Sequence, residues 1–280
     1  MKDFLIVFPH FGINVDKSVI NSILKKANLL SESEFIGNLV SIKIPFGDKR
    51  IEALSDEMKL RGFNDKPLIR FEREFTKAEI ENAPLLRLQL KTARLDNPKK
   101  EQLYDRSHIC PKCGAGLEVI PPLLIPKNDM GKKKIDFTAH HHWMIIEKPL
   151  ANKIIECGLT GIEFQTAYLG RNLTDFYYAK ITNRMPPFSS KSKYQISEPC
   201  DLCNNSGRYD NYSQPTEFIY NQLDIEMCGL QDFNKTFEYF GYWGHSKEGG
   251  GQLLIVSQKV RELFKNEKVR FTKFVPVYFI

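Results

Sequence analysis

The 280-residue sequence contains no long hydrophobic run. Near its start, Phe4-Leu5-Ile6-Val7-Phe8 is too short for a signal sequence or a membrane span, so a cytoplasmic protein with no membrane partner is expected. Phosphate-loop and dinucleotide fingerprints are missing, because Gly12, Gly37, Gly47 and Gly62 each stand alone. There is no G-x-S-x-G elbow and no H-E-x-x-H helix. Pro199-Cys200-Asp201-Leu202-Cys203 echoes half of the zinc-deaminase signature, but no H-x-E precedes it, which argues against a catalytic zinc of that kind. Charge of one sign is sparse as well: a net +6 falls short of the density of a dedicated DNA binder. With 42% hydrophobic and 26% charged residues, the chain has an ordinary globular composition and is long enough for one large core or two smaller ones.

Cysteine is scarce too, and the way the six are placed is informative. Four fall in two C-x-x-C knuckles, Cys110-Pro111-Lys112-Cys113-Gly114 and Cys200-Asp201-Leu202-Cys203-Asn204. Thiolates at this spacing can face one ion from a single tight turn, and two such turns complete the four-thiolate shell that Zn²⁺ accepts. A left-handed residue must follow the second cysteine of each knuckle; Gly114 adopts that conformation freely and Asn204 is the next best tolerated. The competing readings are a redox pair, which would stand before a helix that neither segment shows, and disulfides, which suit a secreted chain. A zinc ribbon normally places its second pair some 15 to 20 residues after the first. Here a whole folded segment intervenes, at a closure cost that grows only logarithmically with length. Cys157 and Cys228 stand alone and read as small buried hydrophobes.

Periodicity predicts an α/β portion over residues 1–100. An apolar strand at 3–8 is followed by a helix capped by Asp16, with Val19, Ile20, Ile23, Leu24 and Leu29 on one face. Alternation at Val40, Ile42 and Ile44 gives a second strand, and Asp48 caps a helix whose apolar face is Ile51, Leu54 and Met58, extending to Leu60, and that Gly62 ends. Strands at 68–75 and 85–90 flank a short helix opened by the capping-box spacing of Thr76 and Glu79. Residues 96–106 read as a linker to a second domain, 101–280.

That second domain repeats itself. Trp143-Met144-Ile145-Ile146, Leu150, Ile154, Leu159 and Phe164 lay out strand, helix, strand, and an ungapped shift of 110 residues brings up Leu253-Leu254-Ile255-Val256, Val260, Phe264, Val269 and Phe274. Ile145 and Ile255, Phe164 and Phe274, and Tyr168 and Tyr278 are identical pairs. One knuckle precedes each copy, which accounts for the wide cysteine spacing. The expected fold class is therefore α+β, with mixed sheets and two repeated β-α-β units joined by a four-cysteine zinc site, beside the α/β N-terminal portion.

Other candidate residues are weaker signals. His140 and His142 would share one face of a strand, and His245 lies beside a glycine loop; a second metal there competes with simple strand histidines, since no carboxylate stands at a supporting spacing. Lys132, Lys133 and Lys134 read as a solvated basic turn. Aromatic and basic residues alternate at Phe71, Arg73, Phe75 and at Arg270, Phe271, Lys273, as in base-stacking strands and also as in any half-buried strand. Tyr239, Tyr242 and Trp243, in an aromatic tract, read as core or as a partner-binding surface.

The knuckle CPKCG at 110–114, CDLC at 200–203, the stretch from Asp232 through Phe240-Gly241 and the closing LLIVSQKVRELF and FTKFVPV together resemble the double-CXXCG motif proteins, which include immunity proteins of bacterial polymorphic toxin systems. The resemblance spans about 175 residues, and Asn204 departs from it where the pattern has glycine. It implies a non-catalytic, zinc-stabilised protein whose partner is a toxin domain. A nucleic-acid-binding zinc ribbon is the alternative.

Overall fold

The computed structural model describes all residues other than 12–14, 37–38, 66, 91–97, 127–129, 139–142, 171, 197–198, 205–207, 210–215 and 241–249. The described residues fall into two units: 1–76 with Thr216, and 77–209 with 217–280.

In the first unit the order is β1 (Lys2–Phe8), α1 (Lys17–Lys26), β2 (Ser33–Ile36), β3 (Leu39–Pro45), α2 (Arg50–Leu60) and β4 (Leu68–Glu74). The antiparallel sheet runs β2-β3-β1-β4, so each helix bridges two parallel strands with a third lying between them, the split βαβ arrangement. Period-2 patterning sets the core face: Val40, Ile42 and Ile44 are buried on β3 and meet Leu5 and Val7 of β1. Ile20, Ile23 and Leu24 of α1 close this core with Leu54 and Met58 of α2. Each fully buried aliphatic side chain contributes about 1.5–3 kcal/mol. The expected cap is present, since Asp16 accepts from the Ser18 N–H at 2.7 Å. Asp48 accepts from the Arg50 N–H at 2.9 Å in the same manner. Arg73 forms a two-pronged pair with Asp3, at 2.6 and 2.8 Å.

The second unit opens with α3 (Lys77–Asn82), β5 (Leu85–Leu90), β6 (Tyr104–Asp105), β7 (Glu118–Val119), β8 (Leu123–Ile125), β9 (Ile135–Phe137), β10 (Met144–Glu147), α4 (Lys148–Glu156) and β11 (Ile162–Leu169). It continues with β12 (Asn172–Ile181), β13 (Asn183–Arg184), β14 (Gln195–Ile196), β15 (Arg208–Tyr209), β16 (Ile219–Tyr220), α5 (Gln222–Cys228), β17 (Phe233–Phe240), β18 (Gly251–Val256), α6 (Gln258–Asn266) and β19 (Thr272–Phe279). One sheet has the order β8-β11-β12-β10-β9; the larger runs β14-β15-β17-β18-β5-β19-β16, with β13 also on β17.

At the 110-residue offset, α4 and α6 coincide end for end, as do β11 and β19. The order β8-β11-β12-β10-β9 is matched by β16-β19-β5-β18-β17, and the sense of every pair agrees. Registers agree as well: Ala179 faces both Met144 and Phe164, while Leu88 faces both Leu254 and Phe274. Two left-handed residues recur at the same offset, Gly158 (φ 64°) with Lys268 (φ 53°) and Gly161 (φ 87°) with Phe271 (φ 64°). At Gly161 a side chain is excluded outright, because a Cβ would lie 2.0 Å from the Phe233 carbonyl oxygen. The strand before each hairpin also repeats a detail: the Trp143 N–H donates to Thr138 Oγ1 at 3.1 Å, and the Leu253 N–H donates to Thr236 Oγ1 at 3.0 Å.

The central strands are exchanged. β5 precedes the first knuckle in the chain yet sits between β18 and β19, which follow the second. Conversely, β12 precedes the second knuckle yet sits between β10 and β11, which follow the first. Leu150 and Ile154 of α4, Val260 and Phe264 of α6, and Leu86 and Leu88 of β5 all lie in one apolar core, so both sheets share it.

Candidate metal centre

Each knuckle is the turn of a two-stranded antiparallel ribbon. Around the first, Tyr104 pairs with Val119 and Asp105 with Glu118; around the second, Gln195 pairs with Tyr209 and Ile196 with Arg208. Within each turn the backbone closes alike: the Gly114 N–H donates to the Cys110 carbonyl at 2.9 Å, and the Asn204 N–H donates to that of Cys200 at 2.7 Å. These closures require the left-handed backbone seen at Gly114 (φ 74°) and Asn204 (φ 48°).

The ribbons bring Cys110, Cys113, Cys200 and Cys203 together, with all four Sγ atoms within 4.8 Å of one another. Across the knuckles, Cys110 Sγ is 3.8 Å from Cys200 Sγ and Cys113 Sγ is 3.5 Å from Cys203 Sγ. A regular tetrahedron of sulfurs bonded at about 2.3 Å has edges of about 3.8 Å, so the four sulfurs outline the shell a divalent metal such as zinc needs. A disulfide needs about 2.05 Å, and all six cysteines are free thiols; contrary to expectation, Cys157 is exposed and Cys228 half-buried, each at the C-terminal end of a helix. Three of the four are buried and the fourth is half-buried.

Local electrostatics favour the thiolate at Cys110. Burial pushes the Cys110 thiol up, but the N–H groups of Cys113 and Lys112 and the thiols of Cys113 and Cys203 outweigh it and bring the pKa to about 7. Lys112, just before the second cysteine of the first knuckle, and Asp201, just after the first cysteine of the second, form an ion pair at 2.7 Å. Both groups are solvent-exposed, so the pair marks how the knuckles face each other and adds little stability.

Behind the cysteines lies a half-buried charge cluster. Glu118, next to the first knuckle, accepts from Lys235 at 2.8 Å and pairs with Lys180 at 3.4 Å. Burial pushes the Glu118 carboxyl up, and the two lysines more than compensate, leaving its pKa low. Tyr239 packs on the cysteines, and burial raises its phenol. An open cleft here is lined by Lys180, Arg184, Leu202, Lys235, Phe237 and Tyr239.

Of the other candidates, His140, His142, His245, Tyr242 and Trp243 lie outside the described residues. Lys133 is paired with Asp136, and Lys134 reaches Glu147 and Glu267 at 3.5 and 3.8 Å. Arg73 is held by Asp3, while Phe71 packs against the first unit's core. Among the described residues, the four cysteines are the only His, Cys, Asp and Glu grouping placed to hold a metal. No helix among the described residues is long and apolar enough to cross a membrane. Sequence reasoning missed Glu118 and its two lysines, since nothing in the spacing of 118, 180 and 235 signals contact.

Compared with known proteins, the chain matches no family model, and no curated protein is similar to it.

Proposed function

We propose that residues 77–280 are a tandem duplication clipped together by one structural Zn²⁺ on Cys110, Cys113, Cys200 and Cys203, and that the protein is a non-catalytic cytoplasmic binding protein. The observation that carries this reading is the convergence of four sulfurs, two from each repeat, into one cluster that no histidine or carboxylate joins among the described residues. A shell of four thiolates is coordinatively closed and leaves no position for an activated water, so the metal's role is structural. Its binding free energy becomes folding free energy, about 10–16 kcal/mol in zinc-finger peptides. Matching sheet orders, registers and left-handed positions support the duplication. Through its resemblance to the double-CXXCG proteins, the chain is assigned the role of immunity factor: it binds a cognate toxin domain stoichiometrically.

The direct test is to express a candidate toxin gene, sought next to this one in its genome, in cells with and without the protein. Wild type is expected to restore growth and Cys113→Ser to fail. Equal growth arrest in both strains removes the immunity assignment. The alternative, a nucleic-acid-binding ribbon, predicts affinity for single or double strands that falls steeply with salt. Against it stands the engagement of Arg73, Lys133 and Lys134 with carboxylates inside the chain.

A further inference from the structure

We infer that the cleft beside the cysteines is a recognition site for a carboxylate carried by a protein partner, with Arg184 as its anchor; this rests on the binding-protein reading above. Arg184 follows β12, and its guanidinium lies 4.2 Å from the Phe237 ring centroid and 6.0 Å from that of Tyr239. One donor, Nη2, is fixed on the Phe237 carbonyl at 2.8 Å. The planar fork is therefore held in place with further N–H donors to spare, and no carboxylate pairs with it among the described residues.

The neighbouring cations differ. Lys180 and Lys235 are both committed to Glu118, and Asp105 also lines the cleft. Interleaved acids of this kind oppose a phosphate chain, which needs a run of free cations. They leave room for a single carboxylate meeting Arg184 through two parallel hydrogen bonds. A filled thiolate shell carries a formal charge of about −2. That charge lowers the cleft's net potential and takes none of Arg184's donors. Leu202, 61% exposed at the tip of the second knuckle, and the aromatic faces of Phe237 and Tyr239 supply the apolar contact that desolvates such a pair. Arg, Tyr and Phe are among the residue types enriched at protein interfaces.

The test is an NMR titration of the full-length, zinc-loaded protein with three probes. These are a short acetylated peptide with a central glutamate flanked by tyrosine and leucine, the same peptide with glutamine, and a short thymidine oligonucleotide. The glutamate peptide is expected to shift the Arg184 side-chain and Tyr239 signals, with the glutamine peptide at least tenfold weaker. Arg184→Lys, which keeps the charge and loses the fork, should weaken the glutamate peptide about tenfold with an unchanged melting temperature. Absence of shifts at millimolar peptide, equal binding of both peptides, or oligonucleotide binding at these residues overturns the proposal. Protection from the toxin that survives such a result would leave the binding-protein reading intact with its surface elsewhere; loss of both would remove both.

Discussion

At the scale of single residues, the structure is decided by a few conformations and pairs. Phe271 is a bulky residue held left-handed (φ 64°) at the position 110 residues after the left-handed Gly161, and it is 45% exposed. The conformation costs a non-glycine residue about 1–2 kcal/mol, so Phe271→Gly is expected to raise the unfolding free energy, read from urea denaturation, by up to about 1 kcal/mol after the flexibility glycine adds to the unfolded chain. Gly161→Ala should do the opposite, because the added Cβ meets the Phe233 carbonyl oxygen at 2.0 Å. Asp3 shows how one ion pair sets a pH dependence. Its hydrogen bond from Arg73 lowers the carboxyl below its ordinary 3.8 against the opposing effect of burial. A group depressed in the folded state stabilises above its unfolded pKa and loses that contribution as pH falls through the lower folded value. Solvent at the pair's edge screens it, so Asp3→Asn should cost about 1 kcal/mol at neutral pH and much less near pH 2, as read from urea midpoints.

At the scale of elements, much was legible, and the reason is local. The caps at Asp16 and Asp48, the period-2 strand at Val40, Ile42 and Ile44, and the left-handed Gly114 and Asn204 follow from side-chain chemistry within a few residues. The strand–helix–strand layout that apolar spacing gives from Trp143 to Phe164 and from Leu253 to Phe274 is found at residues 144–169 and 251–279. Partner choice was not legible. Nothing in Leu85–Leu90 says that it pairs with β18 and β19, where the partners of Leu88 are Leu254 and Phe274, because a short leucine-rich strand fits any largely buried sheet. The ribbon strands Tyr104–Asp105 and Gln195–Ile196 were invisible too, being two residues long and defined only by the knuckles they flank. The exchange of β5 and β12 makes a prediction at this scale. Each sheet needs a strand from the opposite half, so a fragment ending after β11 lacks the central strand of its own sheet. Residues 77–170 expressed alone should give no cooperative thermal transition, and co-expression with residues 171–280 should restore one.

At the scale of the whole second unit, the proposed metal would join what the exchanged strands already interlock. Removing it with a strong chelator is expected to lower the melting temperature of this unit by well over ten degrees, given the folding free energy that structural zinc supplies. Cys113→Ser should reproduce that loss even with zinc present, since Cys113 is wholly buried and its oxygen replacement is a poor ligand for a sulfur shell. The central claim is that four sulfurs from two ribbons share one ion and do nothing but hold. X-ray absorption at the zinc edge of the purified protein tests it most directly. The account predicts one zinc per chain with four sulfur scatterers at about 2.3 Å and no nitrogen or oxygen in the shell. Two sulfurs per ion, or oxygen from water in the shell, would contradict it.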